Sequence, residues 1–131
     1  MQITTVLNGE KRQFEIAPQE TLFHLLRREG LRGVKFGSED GADGYSAVLI
    51  NGHLSNSIVM LAAQAEDTEI TTIEGLSGDH QRGWGRSRTF HPLQQAFIDT
   101  GAIQSGYDTP ALILAGHALL AKNPSPTEAD V

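Results

Sequence analysis

The chain has 131 residues, enough for one compact domain or two small modules, and its 39% hydrophobic and 20% charged residues are those of a folded globular protein rather than a disordered one. Acidic side chains outnumber basic ones 16 to 10, for a formal charge of −6, which argues against nucleic acid as a partner. The cysteine count is zero, which excludes disulfides, thiolate zinc sites, cysteine nucleophiles and cysteine-ligated iron–sulfur clusters.

No apolar run nears the roughly 18 residues of a membrane span and no basic-then-apolar leader opens the chain, so no membrane partner and a cytoplasmic location are expected. Residues 2–8 alternate around Ile3, Thr5 and Leu7 and run into Asn8-Gly9, a tight-turn signal between two strands. Residues 11–17 return with Phe14 and Ile16 on one face, and Pro18 stops them. Glu20 to Glu29 carries Leu22, Phe23, Leu25 and Leu26 at helical spacing, with Thr21 near the start and Gly30 at the end. The acidic, glycine-rich stretch 37–44 is too polar for a regular element. Residues 46–50 form a short strand closed by Asn51-Gly52, Ile58 to Ala65 predicts a short buried helix, and Glu69 to Ile73 a closing strand. Hairpin, helix and further strands make an α+β pattern in which a helix covers a mixed sheet.

Residues 77–90 read as a linker between a first domain, 1–76, and a helical one, 91–131. His91 to Thr100 is an amphipathic helix, and Thr109-Pro110 opens a second, with Thr as cap and Pro at the first position. Ala111 to Ala121 continues it, Asn123-Pro124-Ser125-Pro126 breaks it, and Thr127 to Asp130 starts a further helix that is cut off. Two helices and a fragment cannot close a bundle, so this half must lean on the first domain or on a partner.

Val6-Leu7-Asn8-Gly9, Gly33-Val34-Lys35-Phe36-Gly37, Ile73-Glu74-Gly75-Leu76, His91-Pro92-Leu93-Gln94-Gln95-Ala96-Phe97 and Gly101-Ala102-Ile103-Gln104 stand in an order and spacing that span nearly the whole chain. With Thr109-Pro110 and Asn123-Pro124, they make the chain resemble the small iron–sulfur subunit, or N-terminal domain, of the molybdenum hydroxylases (the xanthine dehydrogenase and aldehyde oxidase family). The resemblance implies a plant-type ferredoxin-like β-grasp domain followed by a small, truncated α-helical domain. In such subunits each domain holds a [2Fe–2S] cluster, and the pair carries electrons between a molybdopterin-binding large subunit and an FAD-binding medium subunit. It also implies that Gln104 contacts the pterin of the large subunit's cofactor.

The chain departs from the family at the ligands. The cysteine positions of the first cluster hold Ser38, Asp43, Ser46 and Ile58, and those of the second that fall within the chain hold Ser105 and Asp108. A [2Fe–2S] cluster needs soft, anionic donors. Aspartate oxygen is hard, neutral serine is a poor donor, and Ile58 has no donor atom. The expectation is a chain that binds no cofactor itself, is not catalytic alone, and serves as a structural subunit whose partners carry molybdopterin and FAD. An electron-transfer subunit whose native sequence keeps the cysteines, and a stand-alone β-grasp binding module, are the alternatives. The mixed replacements read as divergence or redesign rather than a uniform knockout, with Tyr45 and Ile58 refilling the cluster volume.

Other candidates are weaker. Glu39, Asp40 and Asp43 suggest a hard-cation site, but their spacing fails the EF-hand pattern and fits a solvated loop. His24, His53, His80, His91 and His117 show no zinc spacing, and His91 reads as structural. No Gly-x-Ser-x-Gly elbow organises a hydrolase. Arg82, Trp84, Arg86 and Arg88 could dock on an acidic partner or be solvated linker.

Overall fold

The computed structural model describes residues 1–76 and 90–131. The expected linker, with Arg82, Trp84, Arg86 and Arg88, lies outside the described residues apart from Phe90. Strands β1 (Gln2–Leu7) and β2 (Glu10–Glu15) pair antiparallel, from Gln2↔Glu15 to Leu7↔Glu10. Asn8 and Gly9 turn between them with φ of 50° and 84°, the left-handed pair whose twist suits a two-residue hairpin. Helix α1 (Leu22–Arg28) is capped by Thr21, whose hydroxyl oxygen accepts the His24 N–H at 3.2 Å. A second hairpin joins β3 (Ala47–Ile50) to β4 (His53–Asn56) through Asn51 and Gly52, at φ of 49° and 83°.

Strand β5 (Glu69–Thr71) enters between the hairpins, parallel to β1 and antiparallel to β3, giving the order β2-β1-β5-β3-β4. Both turn asparagines grip it. Asn51 Oδ1 accepts the Glu69 N–H at 2.8 Å. At the other end Asn8 Oδ1 accepts the Thr72 N–H, and Asn8 Nδ2 donates to the Thr72 hydroxyl, both at 2.9 Å.

One face of the sheet carries the main core. Ile3, Leu7, Phe14, Ile16, Val48, Ile50 and Ile70 pack with Leu22, Leu25 and Leu26 of α1. Each such fully buried side chain contributes about 1.5–3 kcal/mol. All four residues of β3 are buried, yet Ala47 and Leu49 stand outside that cluster. They face the other side, where α3 (Thr109–Lys122) packs on β3 and buries Ile113 and Leu114. Covering on both faces explains why this strand reads as an unbroken apolar run. Helix α2 (Pro92–Thr100) packs on α3 and ends at Gly101, φ 69°. The result is the α+β, β-grasp architecture expected from the sequence, with helices following it, and the helical half does lean on the sheet.

The structure corrects several expectations. Ile58 to Ala65 is no helix but two 3-10 turns, Ser57–Val59 and Ala62–Ala65, separated by extended Met60 and Leu61. Tertiary pairing overrides helix propensity there: Met60 O accepts the Leu22 N–H and Glu20 O the Ala62 N–H, each at 2.8 Å, with a bridge between Thr21 and Leu61. Strand β4 was not foreseen. Asp108, not Thr109, occupies the cap position of α3, and its side chain makes no cap bond. The last element is a 3-10 turn, Glu128–Asp130.

Candidate functional site

The loop from Gly37 to Ser46 is polar, and its shape rests on its own hydrogen bonds. Ser38 Oγ donates to Asp40 Oδ1 at 2.8 Å, and the same oxygen accepts the Ala42 N–H at 3.0 Å. Asp43 Oδ1 accepts the Tyr45 N–H at 3.0 Å. Such side-chain turns are what Ser and Asp do best in loops. The Ala42 N–H, then the Ser38 hydroxyl, hold the Asp40 carboxyl below its ordinary value. Backbone bonds from Gly41 N–H to Ser38 O, Gly44 N–H to Gly41 O and Ala47 N–H to Gly44 O carry the chain through successive turns, with Gly41 and Gly44 at φ of 71° and 73°.

Ser46 is buried and faces the strand end after β4. Its hydroxyl oxygen accepts the Ile58 N–H at 3.2 Å, and its carbonyl accepts the Ser57 hydroxyl at 2.7 Å. Asn56 Nδ2 donates to Gly41 O at 3.1 Å. Ile58 packs against the main core, and its Cγ2 lies 3.3 Å from where a Cβ on Gly41 would stand. The four positions Ser38, Asp43, Ser46 and Ile58 thus surround one loop, but each polar one is engaged with backbone or loop neighbours.

The second position pair lies at the start of α3. Ser105 Oγ accepts the Tyr107 N–H at 3.3 Å, and Asp108 precedes the first helical residue. Gln104 is exposed between α2 and α3 and makes no hydrogen bond among the described residues. Tyr107 ties this segment to the first loop. Its hydroxyl donates to the Phe36 carbonyl, its ring meets Tyr45 edge-on at 5.3 Å, and Lys35 Nζ stands 5.8 Å over its face. An aromatic pair of this kind contributes about 0.5–1.5 kcal/mol and an exposed cation–π contact about 0.5–1 kcal/mol. A cleft of about 350 Å³ opens between the two segments, lined among others by Asp43, Tyr45, Asn56, Asp108 and Leu112.

These donors do not fit a [2Fe–2S] cluster. The first set offers two hydroxyls, one carboxylate and an alkyl group, and the buried hydroxyl of Ser46 is committed to the Ile58 amide. Nor does a hard cation find a built site: among the described residues no three His, Asp or Glu side chains are placed to hold a metal ion. One association escaped the sequence reading. His91 and His117, on different helices, stand ring to ring at 5.0 Å. Nothing in their spacing of 26 residues signals it, because the α2–α3 hairpin creates it. Among the described residues no helix is long and apolar enough to cross a membrane.

Comparison with known proteins gives a consistent picture. A family model described as a [2Fe-2S] binding domain matches residues 72–131. The nicotinate dehydrogenase small FeS subunit of Eubacterium barkeri is 40% identical over 126 residues, covering 95% of this chain and 75% of that one. The xanthine dehydrogenase iron-sulfur-binding subunit of Escherichia coli O157:H7 is 40% identical over 120 residues, 92% of this chain and 70% of that one. Among solved structures, quinoline 2-oxidoreductase from Pseudomonas putida 86 superposes with a TM-score of 0.90 at 34% identity, over 99% of this chain and 76% of that chain.

Proposed function

The chain belongs to the family of small iron–sulfur subunits of the xanthine dehydrogenase and aldehyde oxidoreductase type, and from that premise we propose that it is a cluster-free member acting as a structural subunit. The observation that carries the reading is the fate of the ligand positions. Ser38, Asp43, Ser46 and Ser105 bond to backbone or loop neighbours, and Ile58 packs into the core, so the loop that would wrap a cluster is held by the chain itself. Electrons have no carrier here, and the chain alone catalyses nothing.

In this reading residues 1–76 and 91–131 act as a β-grasp and a helical domain joined by 77–90, in the cytoplasm. Its partners are a molybdopterin-binding large subunit and an FAD-binding medium subunit. Gln104, exposed between α2 and α3, meets the pterin of the large subunit's cofactor. Exposed apolar side chains at Ile98, Ile103, Tyr107 and Leu112 supply contact area on the helical side.

The test is to co-express the full chain with such large and medium subunits and measure assembly by size exclusion, with iron and acid-labile sulfide assayed on the purified chain. Co-elution without iron or sulfide supports the proposal. A [2Fe–2S] absorption and EPR signal from this chain overturns the cluster-free part, and a monodisperse monomer that ignores both subunits overturns the structural part.

A further inference from the structure

Helix α2 begins with an unusual cap. Residues that cap helices well present a side-chain oxygen to the first free N–H groups. Here the acceptor is a histidine nitrogen: His91 Nδ1 takes the Leu93 N–H at 3.1 Å, while the His91 N–H donates to Gln94 Oε1 at 2.8 Å. A backbone N–H can only donate, so Nδ1 must carry a free lone pair and the proton of the neutral ring sits on Nε2. Protonation puts a hydrogen on Nδ1 and turns the acceptor into a donor facing a donor.

The same ring packs across the helix pair. His91 meets His117 of α3 edge to face, with centroids 5.0 Å apart and planes at 83°. Just beyond, Leu93 of α2 lies over Gly116, its Cδ1 3.6 Å from where a Cβ would stand. This is the contact that starts the apolar groove of Leu93, Phe97, Gly116 and Leu119. Two neutral imidazoles pack well in this arrangement; two imidazolium ions repel, and a helix N-terminus disfavours any positive charge on its cap.

We infer that His91, packed on His117, is a proton-operated catch, seating the first turn of α2 on α3 while the His91 ring is neutral and releasing it when that ring is protonated. Among the described residues no carboxylate is paired with either ring, and Asp130, which lines the same groove, is bonded to the Thr127 N–H and Asn123 Nδ2. On α2 the acid is Asp99, two turns away and bonded to Gln95 Nε2 at 2.8 Å. On α3, Asp108 precedes the helix and Lys122 ends it, nine residues before and five after His117. Of the elements under α3, the turn Ile73–Gly75 carries Glu74, which accepts the Gly33 N–H, and β4 carries exposed His53. Burial first, and the charge of His117 second, hold His91 below its ordinary 6.5. A depressed histidine contributes stability that is present above 6.5 and lost as pH falls through its folded value. The catch therefore opens on the acid side.

The experiment follows the Leu93 amide and both imidazoles by NMR in the full chain from pH 8 to 4.5, with His91→Asn and His117→Gln variants. Asparagine is a good cap that does not titrate, so His91→Asn is expected to fold. In the natural sequence the Leu93 amide and the His91 ring should titrate with one common midpoint below 6.5, as contacts between Leu93 and Gly116 disappear. His91→Asn should leave the Leu93 amide flat over the whole range, and His117→Gln should move the His91 midpoint upward. A Leu93 amide that does not titrate in the natural sequence, or titrates equally in His91→Asn, overturns the inference.

Discussion

Ile58 stands where a cluster ligand would, and its replacement by alanine tests whether that position is now a packing position. The substitution removes Cγ1, Cγ2 and Cδ1 from a side chain that lies against the main core and beside Gly41. At about 0.8 kcal/mol per buried carbon the fully buried loss is about 2.4 kcal/mol, and partial exposure of Ile58 brings it to about 1.5 kcal/mol. Urea unfolding followed by far-UV circular dichroism should show the unfolding free energy falling by that amount, read as a lower midpoint at an unchanged slope. A companion substitution separates packing from backbone. Gly41→Ala places a Cβ 3.3 Å from Ile58 Cγ2 at a φ of 71°, so it carries both a contact and a conformational cost. In the Ile58→Ala background the contact cost falls and the conformational one of about 1 kcal/mol stays, making the pair less than additive. A loss below about 0.5 kcal/mol for Ile58→Ala would refute the packing role, because that is the size of an ordinary surface substitution.

Three more predictions follow from single contacts. A Cβ on Gly75 would overlap the Asn8 carboxamide and come within 2.7 Å of its Cβ, so Gly75→Ala should break both Asn8–Thr72 bonds and cost about 2–4 kcal/mol in urea unfolding. In an Asn8→Gly background the same change should cost little, and an equal cost there would rule the clash out. Thr5 is buried on the core face of β1 with a hydroxyl that finds no partner among the described residues, so Thr5→Val should stabilise the protein by about 1 kcal/mol, read as a raised melting temperature. Ser38→Ala should move the Asp40 carboxyl upward in a carbon-detected NMR titration while leaving it below its ordinary value, because the Ala42 N–H, its larger cause, remains; no movement would remove Ser38 from the loop's electrostatics.

Much of the fold was legible because local signals and tertiary needs agree. Asn8-Gly9 marked the first hairpin and Asn51-Gly52 the turn that ends β3, and Leu22, Phe23, Leu25 and Leu26 marked the buried face of α1. Strand β4 was hidden because His53 and Leu54 are exposed and Ser55 and Asn56 polar, so nothing alternates; it exists because β3 has a free edge to pair. Residues 58–65 misled in the opposite way. Their apolar composition suits a helix, but Met60 and Leu61 must extend to satisfy the entrance to α1. At the site, the expected ligand positions came from the family framework alone. It could not reveal that Ser46 holds the Ile58 amide, or that Tyr107 reaches the Phe36 carbonyl, because both bonds depend on how distant segments dock.

The replacements share a physical logic that the bare loss of cysteine conceals. A ten-residue loop with this little apolar surface, 37–46, needs bonds to fix its path, and metal–thiolate bonds are one source of them. Serine and aspartate are poor partners for a soft metal but the best side chains for closing local turns on backbone N–H groups. Ser38 and Asp40 close the turn at Ala42, Asp43 closes the one at Tyr45, and Ser46 anchors the loop to residue 58. The remaining ligand position lies against the core, where a turn-former would be wasted and a branched alkyl chain packs. The side chains that make poor cluster donors are therefore the ones that hold the loop's shape.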